Sequence, residues 1–292
     1  MNRKPPIKTW STPAAVEDRR AIPCALCGGN DFRQHLSCEG FAYVKCATCS
    51  LVQINPQPLA EQVQQRYRDH HGKDYFSYEL ENEAAFFDLQ KRALADVGFY
   101  DLEKSLKAKA GSPPSAIDVG CATGALLAFL QERGWDVAGV EISPSAEYAQ
   151  ARLGIPISRS NLEDSHLPAE SFDLVFVSHL LEHLNNPRAF LHETWRILRP
   201  GACLLLTTPN IDGFQARLFG SRWRSAIFDH LYLFSLRTLK QLLEKAGFVT
   251  EKVCSWGGFA AGSVPLPLKR FADKTAKALG FGDVMMLRAR KR

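Results

Sequence analysis

Four of the eight cysteines form two C-x-x-C pairs, Cys24 with Cys27 and Cys46 with Cys49. Thiolates in two such pairs are typical ligands of a tetrahedral zinc ion. Gly28, after the first pair, allows the tight turn in which backbone N–H groups point at the sulfur atoms. Four protein ligands leave no open position on the ion, so we expect a structural zinc. The alternative is four buried thiols that bind no ion.

The start of the chain and its hydropathy favour a compartment in which thiols stay reduced. MNRKPPIKTWSTP has no apolar stretch after its basic residues, and no apolar run approaches the roughly 20 residues of a membrane-spanning helix. We therefore predict a cytoplasmic protein without a transmembrane segment. In such a protein the paired cysteines bind a metal rather than form disulfides.

A second group of residues suits a ligand that contains a nucleoside. Residues 118–124, DVGCATG, end a short apolar strand and open a helix, where glycines let the backbone approach a ligand closely. Glu141 ends the next strand about twenty residues on, where a carboxylate suits the two hydroxyls of a ribose. The nicotinamide fingerprint G-x-G-x-x-G is not matched, because Ala122 and Ala125 take two of its glycine positions. The alternative is an ordinary strand–turn–helix with glycines for packing, and Glu141 in register argues against it.

Two histidines match a signature of zinc peptidases. His179 and His183 stand in HLLEH, which fits H-x-x-E-H. That chemistry needs both imidazoles on one helical face and a further carboxylate ligand. His179 directly follows an apolar strand, and Pro187 begins the next helix. We therefore expect the two rings to face apart, with Glu182 and His183 holding the turn between strand and helix.

A third histidine, His230, lies in FDHLYLFS, between the fifth strand and the next helix. A neutral imidazole near the carboxyl ends of the strands could accept a proton from a substrate hydroxyl, amine or activated carbon. The alternative is that His230 caps the loop or hydrogen-bonds to a backbone carbonyl.

The elements that must position these residues alternate along the chain. After residue 114, SAIDVG is an apolar strand, ATGALLAFLQERG a helix and WDVAGVEIS a strand, and VMMLRARK closes the series. Strands that alternate with helices predict an α/β fold with a doubly wound, mostly parallel sheet.

Composition shifts divide the chain into four parts, with the clearest boundary at the Gly-Ser-Pro-Pro of residues 111–114. Tyr67, Tyr75 and Phe76 are candidates to close over a bound ligand. The predicted parts are a flexible tail (1–23), a zinc ribbon (24–56), a helical lid or cover (57–110) and the α/β domain (111–292).

The motifs after residue 114 resemble, in order, those of class I S-adenosylmethionine-dependent methyltransferases. They are D-x-G-x-x-x-G at 118–124, GVEIS at 139–143, LED at 162–164 before LPAESFDLV, HLLEHLNNP, LRPGACLLLTTPN and VMMLRARK. The resemblance covers about residues 114–292. It implies a seven-stranded Rossmann-like sheet and methyl transfer from S-adenosylmethionine.

The resemblance also implies a role for each matching residue. The loop with Gly120, Ala122 and Gly124 would hold the methionine part of the cofactor, with Asp118 near its ammonium group. Glu141 would bind the ribose hydroxyls. The remaining implied positions are Ile142 on the adenine, Asn161 and Leu162 at its edge, and His179 beside the methyl-transfer site. With His230 on the acceptor side, His179 is the second candidate catalytic residue.

The cysteine unit carries a resemblance of its own. GFAYVKCATCSLVQINPQP, residues 40–58, is similar to the zinc-binding leader of some bacterial sugar and antibiotic-pathway methyltransferases. This resemblance implies a small-molecule or glycan-precursor acceptor.

Two other functions are compatible with these motifs: a ribosomal RNA methyltransferase with a zinc ribbon, and a non-catalytic zinc adaptor. The net charge of +5 arises at the two ends of the chain, while residues 24–56 have no net charge. A nucleic-acid binder usually carries a basic stripe on its folded body, so this distribution argues against an RNA partner. The intact glycine loop and Glu141 argue against the adaptor. The sequence carries no signal for oligomeric state.

Overall fold

The computed structural model describes residues 18–68, 70–109, 111–257, 275–277 and 280–292, with residues 70–75 described by their backbone alone. Of the predicted tail, residues 1–17 lie outside these ranges. The side chain of Tyr75, one of the three lid candidates, also lies outside the described part of the chain.

The chain alternates strands and helices from residue 115 onward, as the sequence predicts. The strands are β1 (Arg19–Arg20), β2 (Phe32–Cys38), β3 (Phe41–Cys46), β4 (Val52–Ile54), β5 (Gln57–Pro58), β6 (Ser115–Val119), β7 (Asp136–Val140), β8 (Ile157–Ser158), β9 (Phe172–Ser178), β10 (Leu198–Pro209), β11 (Tyr232–Leu233), β12 (Phe248–Trp256) and β13 (Val284–Lys291). The α-helices with described bounds are α1 (Ala60–Arg68), α2 (His70–Asp96), α3 (Phe99–Lys109), α4 (Ala125–Glu132), α5 (Ser145–Leu153), α6 (Pro187–Ile197), α7 (Phe214–Phe219) and α8 (Leu236–Lys245).

The central sheet has seven strands in the order β12-β13-β10-β9-β6-β7-β8. Five of them, β10, β9, β6, β7 and β8, pair in parallel, whereas β13 is antiparallel to both of its neighbours. Every residue of β6 is buried, as expected for a parallel strand whose two faces are covered by helices. The structure therefore confirms the predicted doubly wound, mostly parallel, seven-stranded α/β fold.

The strand order reverses beside β6, with β7 and β8 on one side and β9 and β10 on the other. At such a switch point a crevice opens outside the carboxyl ends of the strands. Val119 ends β6 and Ser178 ends β9, so Gly120 and His179 are the first residues to enter this crevice.

The helices cover the sheet through apolar stripes. In α4 the buried residues Leu126, Leu127 and Leu130 recur at helical spacing. The segment predicted as a helical cover, 57–110, contains α1, α2 and α3, and the turn at residues 97–98 separates α2 from α3.

The cysteine-bearing strands do not form a sheet by themselves. β2, β3 and β4 are joined by β11, from far later in the chain, in a four-stranded antiparallel sheet of order β11-β4-β3-β2. Leu51 and Ile54 of the predicted ribbon lie in one hydrophobic core with Phe228 and Leu231 of the α/β domain. The ribbon is thus packed into the larger domain rather than appended to it.

Two residues of the predicted tail lie in a separate two-stranded sheet. Arg19 and Arg20, which the sequence placed in the tail, form β1 and pair with Gln57 and Pro58 of β5. Within the described ranges, no helix combines the length and the apolar character needed to cross a bilayer.

Candidate functional site

The loop after β6 is fixed to the end of β7. Gly120 and Cys121 both donate backbone N–H bonds to the carbonyl of Val140, at 2.8 and 3.3 Å. Gly120 has a φ of +78°, and a Cβ there would lie 3.4 Å from the side chain of Leu180. A glycine is needed here because the backbone is left-handed and closely approached by a neighbour.

Glu141 holds the same loop from the other side. Its Oε2 accepts the N–H of Ala122 at 3.0 Å, and its Oε1 accepts the N–H of Ser143 at 2.7 Å. Ala122 has a left-handed φ of +46°, so this hydrogen bond stabilises an uncommon conformation for a residue with a side chain. The carboxylate is therefore locked in one orientation.

Two cavities open at the carboxyl ends of the strands. The first has a volume of about 350 Å³ and the second about 410 Å³. The predicted cofactor residues that line the first are Gly120, Ala122, Glu141, Ile142, Asn161, Leu162 and His179. Tyr67, from α1, lines the same cavity, whereas Phe76 instead contacts Tyr148, with ring centroids 5.3 Å apart.

The second cavity continues from the first. Glu79, Gly120, Ala122, Ser178 and His179 line both cavities, so the two spaces share a wall at the switch point. Asp118 and His230 line the second cavity but not the first. Residues that sequence analysis did not single out, such as Thr207, Trp256 and Phe87, complete its walls.

Asp118 has the properties of a cation-binding carboxylate. It is buried, and its Oδ1 has no hydrogen-bond partner among the described residues. Burial, with the negative charges of Glu141 and Glu79, raises its pKa to about 8. A buried carboxyl group of this kind fits the ammonium group of an amino-acid moiety, because a cation would restore the ionised form.

Gly124 does not line either cavity as the described residues form them. A Cβ there would lie 2.9 Å from Leu153 Cδ1 and 3.2 Å from the Cβ of Ala149, both in α5. Gly124 therefore also has a packing role, because the absence of a side chain lets α4 approach α5. Its contact with the methionine part of a cofactor stays a prediction.

The HLLEH segment does not form a metallopeptidase face. Residues 181–183 form a single 3₁₀ turn, and His179 has a left-handed φ of +51°, so the two histidines do not share an α-helical face. His179 Nδ1 lies 3.2 Å from Oε1 of Glu182, while His183 is packed against His230 with ring centroids 4.7 Å apart.

Glu182 is the centre of this turn. It is completely buried, and its Oε2 accepts the hydroxyl of Thr208 at 3.0 Å. Burial would raise its pKa, but the hydrogen bond with His179 and the positive charge that His179, His183 and His230 carry when protonated at low pH outweigh that effect and lower the pKa to about 2. Glu182 is therefore an ionised carboxylate that links the ends of β9 and β10.

The imidazoles of His183 and His230, which lie near Glu182, are neutral at physiological pH. Burial lowers the pKa of His183 to about 4, and burial also lowers the pKa of His230. Nδ1 of His183 lies 2.9 Å from the carbonyl of Asp229, and Nδ1 of His230 lies 2.8 Å from the carbonyl of Ser225. The carbonyl contact expected as the alternative for His230 is thus present, in a ring that also lines the second cavity.

The cysteine-bearing sheet supports the loop that carries His230. The Tyr43 hydroxyl, from β3, lies 2.8 Å from the carbonyl oxygens of both Ile227 and His230. Phe41 packs edge-on against Phe228, and Ile54 donates its N–H to the carbonyl of Leu231 at 2.9 Å. Sequence analysis did not reveal this support, because it depends on the pairing of β4 with β11.

The four paired cysteines converge as a metal site requires. Their sulfur atoms all lie within 4.8 Å of one another, with Cys24 and Cys49 at 3.3 Å and Cys27 and Cys46 at 3.5 Å. Tetrahedral zinc–sulfur bonds of about 2.3 Å place sulfur atoms about 3.8 Å apart, so the donor set fits a zinc ion after small adjustments. Burial opposes thiolate formation at Cys46, but N–H groups of Thr48 and Cys49 help to lower its pKa to about 7.

Comparison with known proteins agrees with this geometry. A family model described as "Methyltransferase domain" matches residues 90–253. Ubiquinone biosynthesis O-methyltransferase of Psychrobacter cryohalolentis is 31% identical over 106 residues, which cover 32% of this chain and 40% of that protein. A probable S-adenosylmethionine-dependent methyltransferase of Mycolicibacterium smegmatis is 31% identical over 140 residues, 46% of this chain and 52% of that protein. The chain thus spans about half the length of the curated relatives it matches.

Solved structures share the fold at low sequence identity. One is the complex of the Trm112 methyltransferase activator of Haloferax volcanii with a methyltransferase, with a TM-score of 0.57, 17% identity and coverage of 78% of this chain and 96% of that chain. Another is a SAM-dependent methyltransferase of Archaeoglobus fulgidus, with a TM-score of 0.51, 19% identity and coverage of 74% and 99%. The family match extends over more than half of the chain, and the chain therefore belongs to the methyltransferase-domain family.

Proposed function

We propose that this protein transfers a methyl group from S-adenosylmethionine to a small-molecule or glycan-precursor acceptor. One observation carries the proposal: the two cavities share a wall at Gly120 and His179, at the switch point of the sheet. A methyltransferase needs two such spaces, because a cofactor and an acceptor must meet with water excluded.

In this proposal the first cavity binds the nucleoside end of the cofactor. Glu141 accepts hydrogen bonds from the ribose hydroxyls, Ile142 packs on the adenine, and Asn161 and Leu162 line the adenine edge. Asp118 and Gly120 extend the site into the second cavity, where they bind the amino-acid end. When bound, S-adenosylmethionine supplies an electrophilic methyl group.

The acceptor then occupies the rest of the second cavity. His179 borders the shared wall, and His230 lies deeper in the cavity, so these are our two candidate catalytic residues. We propose that His230 accepts the proton of the acceptor, because its Nδ1 is engaged with a carbonyl and its other nitrogen carries the lone pair. The chain otherwise contributes alignment of the reactants and exclusion of water.

The size of the second cavity favours a small acceptor. Its volume of about 410 Å³ lies within the range of pockets that enclose small molecules. The similarity of residues 40–58 to leaders of sugar-pathway enzymes supports the same class. A cytoplasmic location and the absence of a nucleic-acid partner stay predictions of the sequence.

We further propose that Cys24, Cys27, Cys46 and Cys49 bind one structural zinc ion. Four thiolates complete a tetrahedral site, which leaves no position for a substrate. The ion would hold β3 and β4 in place, and through them the His230 loop.

The test combines an acceptor search with one variant. The protein is incubated with methyl-tritiated S-adenosylmethionine and a cell extract separated by size. We expect label in the low-mass fraction, insensitive to ribonuclease; label in RNA, or no transfer to any fraction, would contradict the proposal.

With the labelled fraction as substrate, His230→Ala should lower turnover by about 10²–10⁴ and leave cofactor affinity nearly unchanged. His192→Ala, an exposed histidine on α6, is the matched control. Turnover of His230→Ala equal to that of the control would remove His230 from the reaction.

A further inference from the structure

A cluster of three side chains outside the cysteine unit has the composition of a metal site. Glu182, His183 and His230 each place one donor atom so that the three atoms lie within 4.8 Å of one another. We propose that this His–Glu cluster binds one divalent transition-metal ion through two imidazole nitrogens and one carboxylate oxygen.

The hydrogen bonds of both rings favour metal binding. Each imidazole engages a backbone carbonyl through Nδ1, His183 with Asp229 at 2.9 Å and His230 with Ser225 at 2.8 Å. A carbonyl oxygen only accepts, so this contact favours the tautomer with the proton on Nδ1 and the lone pair on Nε2. Nδ1 of His183 also lies 2.7 Å from the hydroxyl of Tyr67, whose oxygen would accept the same N–H in that tautomer. Metal-binding histidines usually donate their second ring N–H in this way, which orients the ring and makes the ligand more basic.

The burial of the Glu182 carboxylate also favours a bound cation. Glu182 is completely buried, and among the described residues it has an imidazole, and no Lys or Arg, as its ion-pair partner. Buried charges in proteins are normally paired with an opposite charge or bound to a metal. The neighbouring carboxylate of Asp229 differs, because Arg66 pairs with it at 2.7 Å. Glu182 is therefore the anionic ligand that the cluster offers.

The donor set selects the class of ion. Two imidazoles and one carboxylate suit Zn²⁺, Co²⁺, Ni²⁺ or Fe²⁺, whereas Mg²⁺ and Ca²⁺ prefer oxygen ligands throughout. Ligand atoms around such an ion lie about 3–3.4 Å apart, so side-chain rotations would close the site. His183 lines the first cavity and His230 lines the second, which gives the ion a route from solvent.

The proposed ion site does not depend on the proposed methyl transfer, but it uses a residue of the acceptor cavity. A metal bound to His230 uses the lone pair that would otherwise accept the acceptor's proton. The two roles exclude each other in one molecule, and the metal-bound form retains His179 as the imidazole at the shared wall.

The test measures binding without cofactor or acceptor, so it can fail while methyl transfer stands, and the reverse. Protein whose cysteine site is filled with zinc is titrated anaerobically with Co²⁺. We expect saturation at one added Co²⁺ per chain, with visible ligand-field bands. The intense near-ultraviolet charge-transfer band of cobalt thiolates should be absent, since that band would place the ion at the cysteines.

Variants locate the ion. Glu182→Gln and His183→Gln should each weaken Co²⁺ binding by about 100-fold or more, beyond the 10–100-fold cost of losing an outer hydrogen-bond partner. His192→Gln, at an exposed histidine, should bind as the parent does. Circular dichroism identifies which of the two cluster variants is folded, and one folded variant suffices. Saturable binding that is unchanged in a folded cluster variant, or no uptake by the parent protein, overturns the site.

Discussion

The two cavities are built in different ways although they share a wall. The first is formed mainly by residues that follow neighbouring parallel strands, together with Tyr67 and other residues of α1. The N–H groups of Ala122 and Ser143 donate hydrogen bonds to the Glu141 carboxylate and fix this part of the wall. The second is assembled from distant segments: the turn after β9, the loop before β11, helix α2 and the start of β13. Its His230 loop depends on Tyr43, from the cysteine-bearing sheet.

This difference teaches where each part of the site can be damaged. Changes near Glu141 should act on cofactor affinity, because Glu141 and the loop that it holds both belong to the α/β domain. Changes in the cysteine-bearing sheet should act on the acceptor side, because β4 of that sheet holds β11 and the loop of His230 in place. Three predictions test this separation.

The largest effect is expected from Cys46→Ser. The cysteine site of the parent protein should hold about one zinc per chain, and the variant should lose it, because one of the four thiolate ligands is gone. Structural zinc sites supply much of the folding free energy of small units. The melting temperature should fall, and turnover should fall further than cofactor affinity, since β4 and β11 lose their anchor. Elemental analysis, thermal melts and calorimetry measure the three quantities.

Cys38→Ser is the matched control for this change. Cys38 lies on β2 of the same sheet but outside the four-cysteine cluster, so its variant should keep the zinc. A Cys46→Ser protein with full zinc content and an unchanged melting temperature would refute the zinc assignment. Equal losses of turnover and cofactor affinity would break the separation between the cavities.

An intermediate effect is expected from Glu141→Ala, which removes two hydrogen bonds from ribose to a charged acceptor. Each is worth about 1.5–3 kcal/mol, so loss of both should weaken the binding of S-adenosylmethionine by about 100-fold or more. Turnover at saturating cofactor should be largely retained. Glu147→Ala, whose side chain is 72% exposed on α5, serves as the control in the same calorimetric titration. Unchanged affinity in Glu141→Ala would rule out the ribose contact.

The smallest effect concerns the proton on Asp118. Its pKa is raised from 3.8 to about 8, so the free protein holds this proton at pH 7. A raised carboxyl pKa stabilises the fold fully below about 3.8, and that contribution is lost as the pH rises through about 8. Binding of the cofactor's ammonium group favours the ionised carboxylate and should release most of one proton at pH 7. Affinity should then rise by at most about tenfold per pH unit below 8.

Calorimetry at pH 7 in two buffers with different ionisation enthalpies measures this proton release. The charged groups that raise the pKa of Asp118 are Glu141 and Glu79, and the pKa of the neighbouring Cys121 thiol is raised by burial and by Asp118 itself. Asp118→Asn should abolish the buffer dependence. Identical heats in both buffers for the parent protein would show that Asp118 does not meet the ammonium group.

Sequence analysis located the first cavity well because its parts are local. The turn of residues 118–124 and Glu141 after the next strand must meet, since neighbouring parallel strands present their carboxyl ends at one edge. In the structure Val119 at the end of β6 pairs with Val140 at the end of β7, and this pairing brings the loop and Glu141 together. The cofactor role of Gly124 stays a prediction, because a glycine at a helix start gives the same sequence signal whether it serves packing or close approach of a ligand.

The second cavity was predicted only in part. His179 and His230 were selected individually, but the contact of His183 with His230 and the position of Glu182 between β9 and β10 were not foreseen. The sequence indicated that Glu182 and His183 hold a turn, and it gave no sign that a second loop meets them. The periodicity of apolar residues predicts single helices and strands, and it does not indicate which loops contact one another.

The sequence alone determined the alternation of strands and helices, the cysteine spacing and the loop after β6, since each depends on residues close together in the chain. The tertiary structure decided which distant loops share a wall. β11 adds to the cysteine-bearing sheet, Tyr43 reaches the loop of His230, and Glu182, His183 and His230 come within 4.8 Å. The reason is physical: backbone preferences and apolar periodicity act over one element, whereas contacts between loops depend on how whole elements bury their apolar faces together.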